Sequence, residues 1–162
     1  VHAAYRVENQ GTGSLPFLWS IHPLLALDPG STVELDRAAE VRITTAVGFD
    51  TPPERRLDRS IVNGIAAGTA LKAYARMEAP GTALARRPSG ATLRFTWDVA
   101  VLPVAGLWLD FGGWPADAPV HQVAIEPTTS EDDDLRSAIE AGRALMVGSG
   151  QAAVWNVRMS LD

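Results

Sequence analysis

Two residues of this 162-residue chain, His22 and Glu126, have the type and the setting for proton transfer. Imidazole titrates near neutrality and is the commonest general acid or base in proteins. His22 lies in the run Phe17-Leu18-Trp19-Ser20-Ile21-His22-Pro23-Leu24-Leu25, where strand alternation gives it a face shared with Leu18, Ser20 and Leu24. A histidine on such a face is more often a hydrogen-bonded structural residue than a catalyst, so the position alone leaves both roles open. Glu126 ends the stretch Val120-His121-Gln122-Val123-Ala124-Ile125-Glu126, directly before Pro127. A carboxylate there is either an ion-pair partner or, where partial burial favours its protonated form, a usable base. Alternation puts Gln122, Ala124 and Glu126 on one face and His121, Val123 and Ile125 on the other, which separates His121 from Glu126.

The tryptophans add a binding chemistry. Sugar rings present apolar C–H faces that pack on aromatic faces, and Trp19, Trp108 and Trp114 are the candidates for such contact. Beside Trp114, Gly112-Gly113 lets backbone approach closely. Trp97 and Trp155 read as core filling. The three histidines are scattered without metal-ligand spacing, there is no cysteine, and neither a glycine-rich phosphate loop nor a Gly-x-Ser-x-Gly elbow occurs. No metal and no cofactor are therefore expected. A net charge of −5, with no basic cluster longer than the pairs Arg55-Arg56 and Arg86-Arg87, gives no footprint for a polyanion, so nucleic acid is not an expected partner. Charged residues or prolines interrupt every apolar run before the roughly 18 residues that a membrane helix needs. The chain reads as soluble.

The elements that must position these residues are mostly strands. At 162 residues and 46% hydrophobic content the chain can bury a substantial core, and one domain spanning 1–162 is the default. Strand signals occur at 2–9, 17–25, 32–36, 39–45, 71–77, 92–98, 99–111, 120–125 and 152–161, with separators at Gln10 to Gly13, Asp28-Pro29-Gly30, Pro80-Gly81, Pro88-Ser89-Gly90 and Gly112 to Pro115. Residues 47–69 read as a long connection, whose charged side chains at Glu54 to Asp58 are most simply solvated. One helix is expected from Thr129 or Ser130 to Gly142, with Glu131 to Asp134 in its first turn, where the helix dipole favours anions. The pattern predicts an all-β, antiparallel β-sandwich with one short helix.

Three strings resemble the aldose 1-epimerase, or galactose mutarotase-like, superfamily. The run Phe17 to Leu25 is similar to that family's mid-chain histidine motif. Gly106-Leu107-Trp108-Leu109-Asp110-Phe111-Gly112-Gly113-Trp114-Pro115 resembles its Trp-rich hairpin, and Val123-Ala124-Ile125-Glu126-Pro127-Thr128-Thr129 its glutamate motif. The resemblance covers most of the chain and implies the C-terminal part of a mutarotase-like supersandwich, incomplete at the N-terminus. It implies an isomerase that interconverts the anomers of a hexose, with His22 protonating the ring oxygen and Glu126 taking the anomeric proton from the other side of the ring. Trp108 and Trp114 would line the groove, and Asp98 or Asp110 would stand for a family aspartate. The family's first-half histidine and its Arg or Asn have no match here, since His2 does not fit that motif. A non-catalytic carbohydrate-binding module is therefore the alternative, and a structural β-domain the third reading. The chain starts in mid-pattern, so its exposed strand edges are expected to be covered, by a second copy in a homo-oligomer or by a missing N-terminal segment. The expected location is the cytoplasm.

Overall fold

A computed structural model describes residues 1–26, 28–50, 56–57 and 67–162. Strands β1 (His2–Glu8), β2 (Leu15–Phe17), β3 (Leu24–Ala26), β4 (Thr32–Val47), β5 (Arg56–Leu57), β6 (Thr69–Arg86), β7 (Thr92–Trp97), β8 (Val104–Phe111), β9 (His121–Thr128), β10 (Leu145–Val147) and β11 (Ala152–Leu161) accompany one helix, α1 (Leu135–Glu140). In β11 the alternation read from the sequence is the burial pattern: Trp155 and Val157 are buried, while Val154, Asn156 and Arg158 face out. Every strand pairing in the two sheets is antiparallel.

The main sheet runs β1-β11-β7-β6-β8-β9-β3, with β4 along the other edge of β6 and β5 beyond β4. Strands β4 and β6 are long enough to serve two leaves. The first half of β6 pairs with β8 and its second half with β7, while β4 follows it throughout. The change of partner falls at Pro80-Gly81, beside register shifts in β4 around Arg37, whose φ is +56°. A Cβ on Gly81 would stand 2.5 Å from the Trp97 ring, so only glycine admits that ring at the bend. The leaves enclose one core. Val33, Leu35, Phe95, Trp97, Trp155 and Val157 come from the β7 side, and Leu71, Ala73, Leu107, Leu109, Val123 and Ile125 from the β8 side. At one end Trp155 packs against Tyr5, Phe17 and Trp19.

The antiparallel β architecture and the single short helix are as expected, but several boundaries differ. Pro80-Gly81 bends a continuous strand instead of separating two. The 17–25 run is not one strand: β2 and β3 flank a crossing segment that is stitched to the end of β9. There the Thr129 N–H donates to the Trp19 carbonyl at 3.0 Å and the Ile21 N–H to the Pro127 carbonyl at 3.4 Å. Helix α1 starts after the acidic run, because the side chain of Asp134 caps it by accepting from the Ser137 N–H at 2.9 Å. Glu131 to Asp133 are thereby left for other partners. Of the 47–69 connection, 51–55 and 58–66 lie outside the described residues. Among the described residues, no helix is long and apolar enough to cross a membrane.

Candidate active site

The site is built on the face of β6, β8 and β9 that points away from the core. Alternation sends Leu71, Ala73, Leu107, Leu109, Val123 and Ile125 inward, so Lys72, Tyr74, Gly106, Trp108, Ala124 and Glu126 share the opposite face. Register then sets neighbours: Tyr74, Gly106 and Glu126 form one row across the three strands, and Lys72, Trp108 and Ala124 the next. Gly106 makes the first row work. A Cβ there would lie 3.1 Å from Tyr74 Cε1 and 3.3 Å from both Cβ and Oε2 of Glu126, so the missing side chain lets the phenol and the carboxylate converge over the middle strand.

Glu126 is buried, with 3% of its side chain exposed, and a buried carboxylate needs its charge answered. Lys72, itself 13% exposed, supplies the answer: its ammonium donates to Glu126 Oε2 at 2.7 Å. Lys72 is held in turn by Asp133 Oδ1 at 3.9 Å and by the Tyr74 ring, whose centroid lies 5.3 Å from Nζ. The other oxygen, Oε1, is buried and has no donor aligned on it among the described residues. His22 Nε2 lies 3.1 Å from it, on an imidazole that is 47% exposed.

The acidic run closes the opposite wall. The Tyr74 hydroxyl donates to Asp133 Oδ1. Burial, and then this bond to a carboxylate, push the Tyr74 phenol well above its ordinary value of 10.0 and keep it a donor. Arg143 donates to Asp132 at 2.7 Å and 2.6 Å, and these bonds hold Asp132 down at about 2 against the opposing effect of desolvation. Arg42 pairs with Glu131 at 3.1 Å. Between this wall and Leu18, Trp19 and Ser20 lies a cleft of about 160 Å³, which Tyr74, Glu126 and Thr128 line from the sheet.

His22 and Glu126, about a hundred residues apart in sequence, are thus in contact, and as they stand no sugar ring fits between them. Of the two only Glu126 lines the cleft, and the other candidates sit elsewhere. Trp108 shares the face of Glu126 but does not line the cleft. Trp114 is 56% exposed on the turn after β8, also outside the cleft. Asp110 is fully buried, and its Oδ1 gathers the N–H groups of Gly112, Gly113 and Trp114 at 3.1–3.2 Å, which fixes that turn. Asp98 is exposed and shapes the link from β7 to β8 by accepting from the Ala100 N–H at 2.9 Å. Lys72, Tyr74 and Asp133 were not singled out from the sequence. The signal for Lys72 was present: a lysine flanked by Leu71 and Ala73 in an apolar strand calls for a carboxylate partner.

No family model and no curated protein matches the chain. Solved structures do. A candidate aldose 1-epimerase from Escherichia coli K12 superposes with a TM-score of 0.71 at 16% identity, over 99% of this chain and 55% of that one. A second, from Klebsiella pneumoniae subsp. pneumoniae, gives 0.73 at 13% identity, over 99% and 42%. A galactose mutarotase-like protein from Clostridium acetobutylicum gives 0.64 at 12% identity, over 99% and 52%. The chain shares the fold of these structures, the mutarotase-like β architecture that the three sequence strings implied. The chain spans about half the length of these structures.

Proposed function

We propose that the chain binds a hexose over Glu126 and interconverts its anomers by acid–base ring opening. The observation that carries this reading is the buried carboxylate with one oxygen anchored on Lys72 and the other facing a half-exposed imidazole. The anomeric and ring oxygens are bonded to the same carbon, C1, so the groups that serve them must themselves be neighbours. Glu126 Oε1 takes the proton of the anomeric hydroxyl while the C1–ring oxygen bond breaks. The bonding pair goes to the ring oxygen, which takes a proton from His22, and the C1–O1 bond becomes the carbonyl of the open-chain aldehyde. Rotation about C1–C2 and the reverse steps give the other anomer, and both side chains recover their original protonation. His22 turns off Oε1 to admit the sugar, which its exposure permits. A cleft of about 160 Å³ holds one edge of a pyranose without enclosing the ring.

The likeness to candidate aldose 1-epimerases supports this reading. That His22 does not line the cleft favours a non-catalytic carbohydrate-binding module as the second reading. On either reading, cover for the edge strand β3, where Leu24 is 54% exposed, by a second copy or by an N-terminal segment remains our proposal. Polarimetry on freshly dissolved α-glucose and α-galactose decides between the two. The protein should accelerate mutarotation, and Glu126→Gln should lower the rate by about 10² to 10⁴ while sugar affinity is kept. An unchanged rate in the variant defeats the assignment of the base. No acceleration by the wild-type protein, with sugar bound, leaves the binding module in front.

A further inference from the structure

Glu126 does not meet its surroundings symmetrically. Oε2 is tied to an ammonium held on three sides, by the carboxylate itself, by Asp133 and by the Tyr74 ring. Oε1 is left without an aligned donor beneath an imidazole that can move away. A carboxylate rotates freely about its terminal bond unless something fixes its plane, and a base works only when its lone pair is aimed at the proton it takes. Lys72 lies one register row from Glu126 and on the next strand but one, so it approaches diagonally across β8 and catches one oxygen only.

We infer that Lys72 is a positioning residue for the base: it anchors Oε2 and so turns Oε1 toward the sugar. The inference rests on the acid–base reading of this site and adds to it which oxygen reacts and what aims it. Tyr74 and Asp133 serve indirectly, by holding Lys72.

The experiment uses two substitutions in the intact protein, Lys72→Gln, which keeps a neutral donor for Oε2, and Lys72→Arg, which keeps the charge. For mutarotation, kcat should fall about 10²-fold in Lys72→Gln, the loss typical of a roughly 1 Å misplacement, while KM changes by less than about threefold. Lys72→Arg should restore kcat in large part. A merely structural lysine would lower stability without separating kcat from KM. A readout independent of turnover is the ¹³C resonance of the Glu126 carboxyl carbon, assigned by its loss in Glu126→Gln. At constant pH its chemical shift should move in Lys72→Gln and return toward the wild-type value in Lys72→Arg. Wild-type protein without mutarotase activity, but with a resonance that responds to Lys72, refutes the acid–base reading and leaves the anchor standing. A resonance indifferent to both substitutions overturns the inference, whatever the activity.

Discussion

The convergence over Gly106 can be tested by adding one methyl group. In Gly106→Ala the new Cβ would meet Tyr74 Cε1 at 3.1 Å and Glu126 Cβ and Oε2 at 3.3 Å, each a few tenths of an ångström inside ordinary contact. Neither neighbour is free to retreat, since Tyr74 is tied to Asp133 and Glu126 to Lys72. Overpacking of this kind typically costs about 1 to 3 kcal/mol. Alanine recovers about 0.5 to 1 kcal/mol of that relative to glycine within a strand. The net loss is then up to about 2.5 kcal/mol, which lowers the melting temperature by up to about 10 °C at about 2 to 4 °C per kcal/mol for a chain of this size. The larger effect should fall on the site: the carboxylate is pushed off its anchor, and mutarotation should drop by at least about tenfold. Thermal unfolding followed by circular dichroism gives the first number and polarimetry the second. A melting temperature at or above the wild-type value, with an unchanged rate, would refute the argument that the missing Cβ sets the position of the base.

Two predictions concern protons around the cleft. Because burial and Asp133 raise the Tyr74 phenol far above 10.0, subtracting the ultraviolet titration of Tyr74→Phe from that of the wild type should reveal no phenolate below pH 12; a component appearing near pH 10 would contradict the buried donor. Asp132 has its folded value lowered from 3.8 to about 2 by Arg143, so its contribution to stability is complete above pH 3.8 and disappears as pH falls toward 2. Urea unfolding between pH 5 and 2 should therefore show a loss of stability in this range that is smaller in Asp132→Asn; equal slopes for both proteins would remove Asp132 from the account.

His22 and Glu126 were paired in the sequence reading because each sits in a recognisable string at the edge of an apolar run, and the structure sets them 3.1 Å apart; alternation alone kept His121 off the face of Glu126. The core positions of Trp97 and Trp155 were equally plain, since both fall on the inward side of strongly alternating strands. Lys72 and Tyr74 escaped notice because a strand-borne Lys and Tyr carry no motif, and their meaning comes from β8 and β9, which follow them in sequence by about thirty and fifty residues. The acidic run misled for a physical reason. Clustered carboxylates before an amphipathic stretch favour a helix start, yet Asp134 alone provides the cap, while Glu131 and Asp133 are claimed by Arg42 and Tyr74, 89 and 59 residues upstream, and Asp132 by Arg143 beyond the helix. Asp98 and Asp110 each sit beside a turn and accept backbone N–H groups there, a common task of an aspartate in such a place.

Strand β6 belongs to both leaves of the sheet, and this limits how such a protein can change by exchange of parts. Recombination can move a unit only if the break leaves each side with its own hydrogen-bond partners. Here a break before β6 separates β4 from its partner along the whole of its length, while a break after it leaves β7 and β8 facing unpaired edges. The leaf that carries Lys72, Tyr74 and Glu126 therefore cannot be inherited apart from the leaf that carries Phe95 and Trp97. Variation in the candidate site has to come by substitution on a fixed sheet, one outward-facing position at a time.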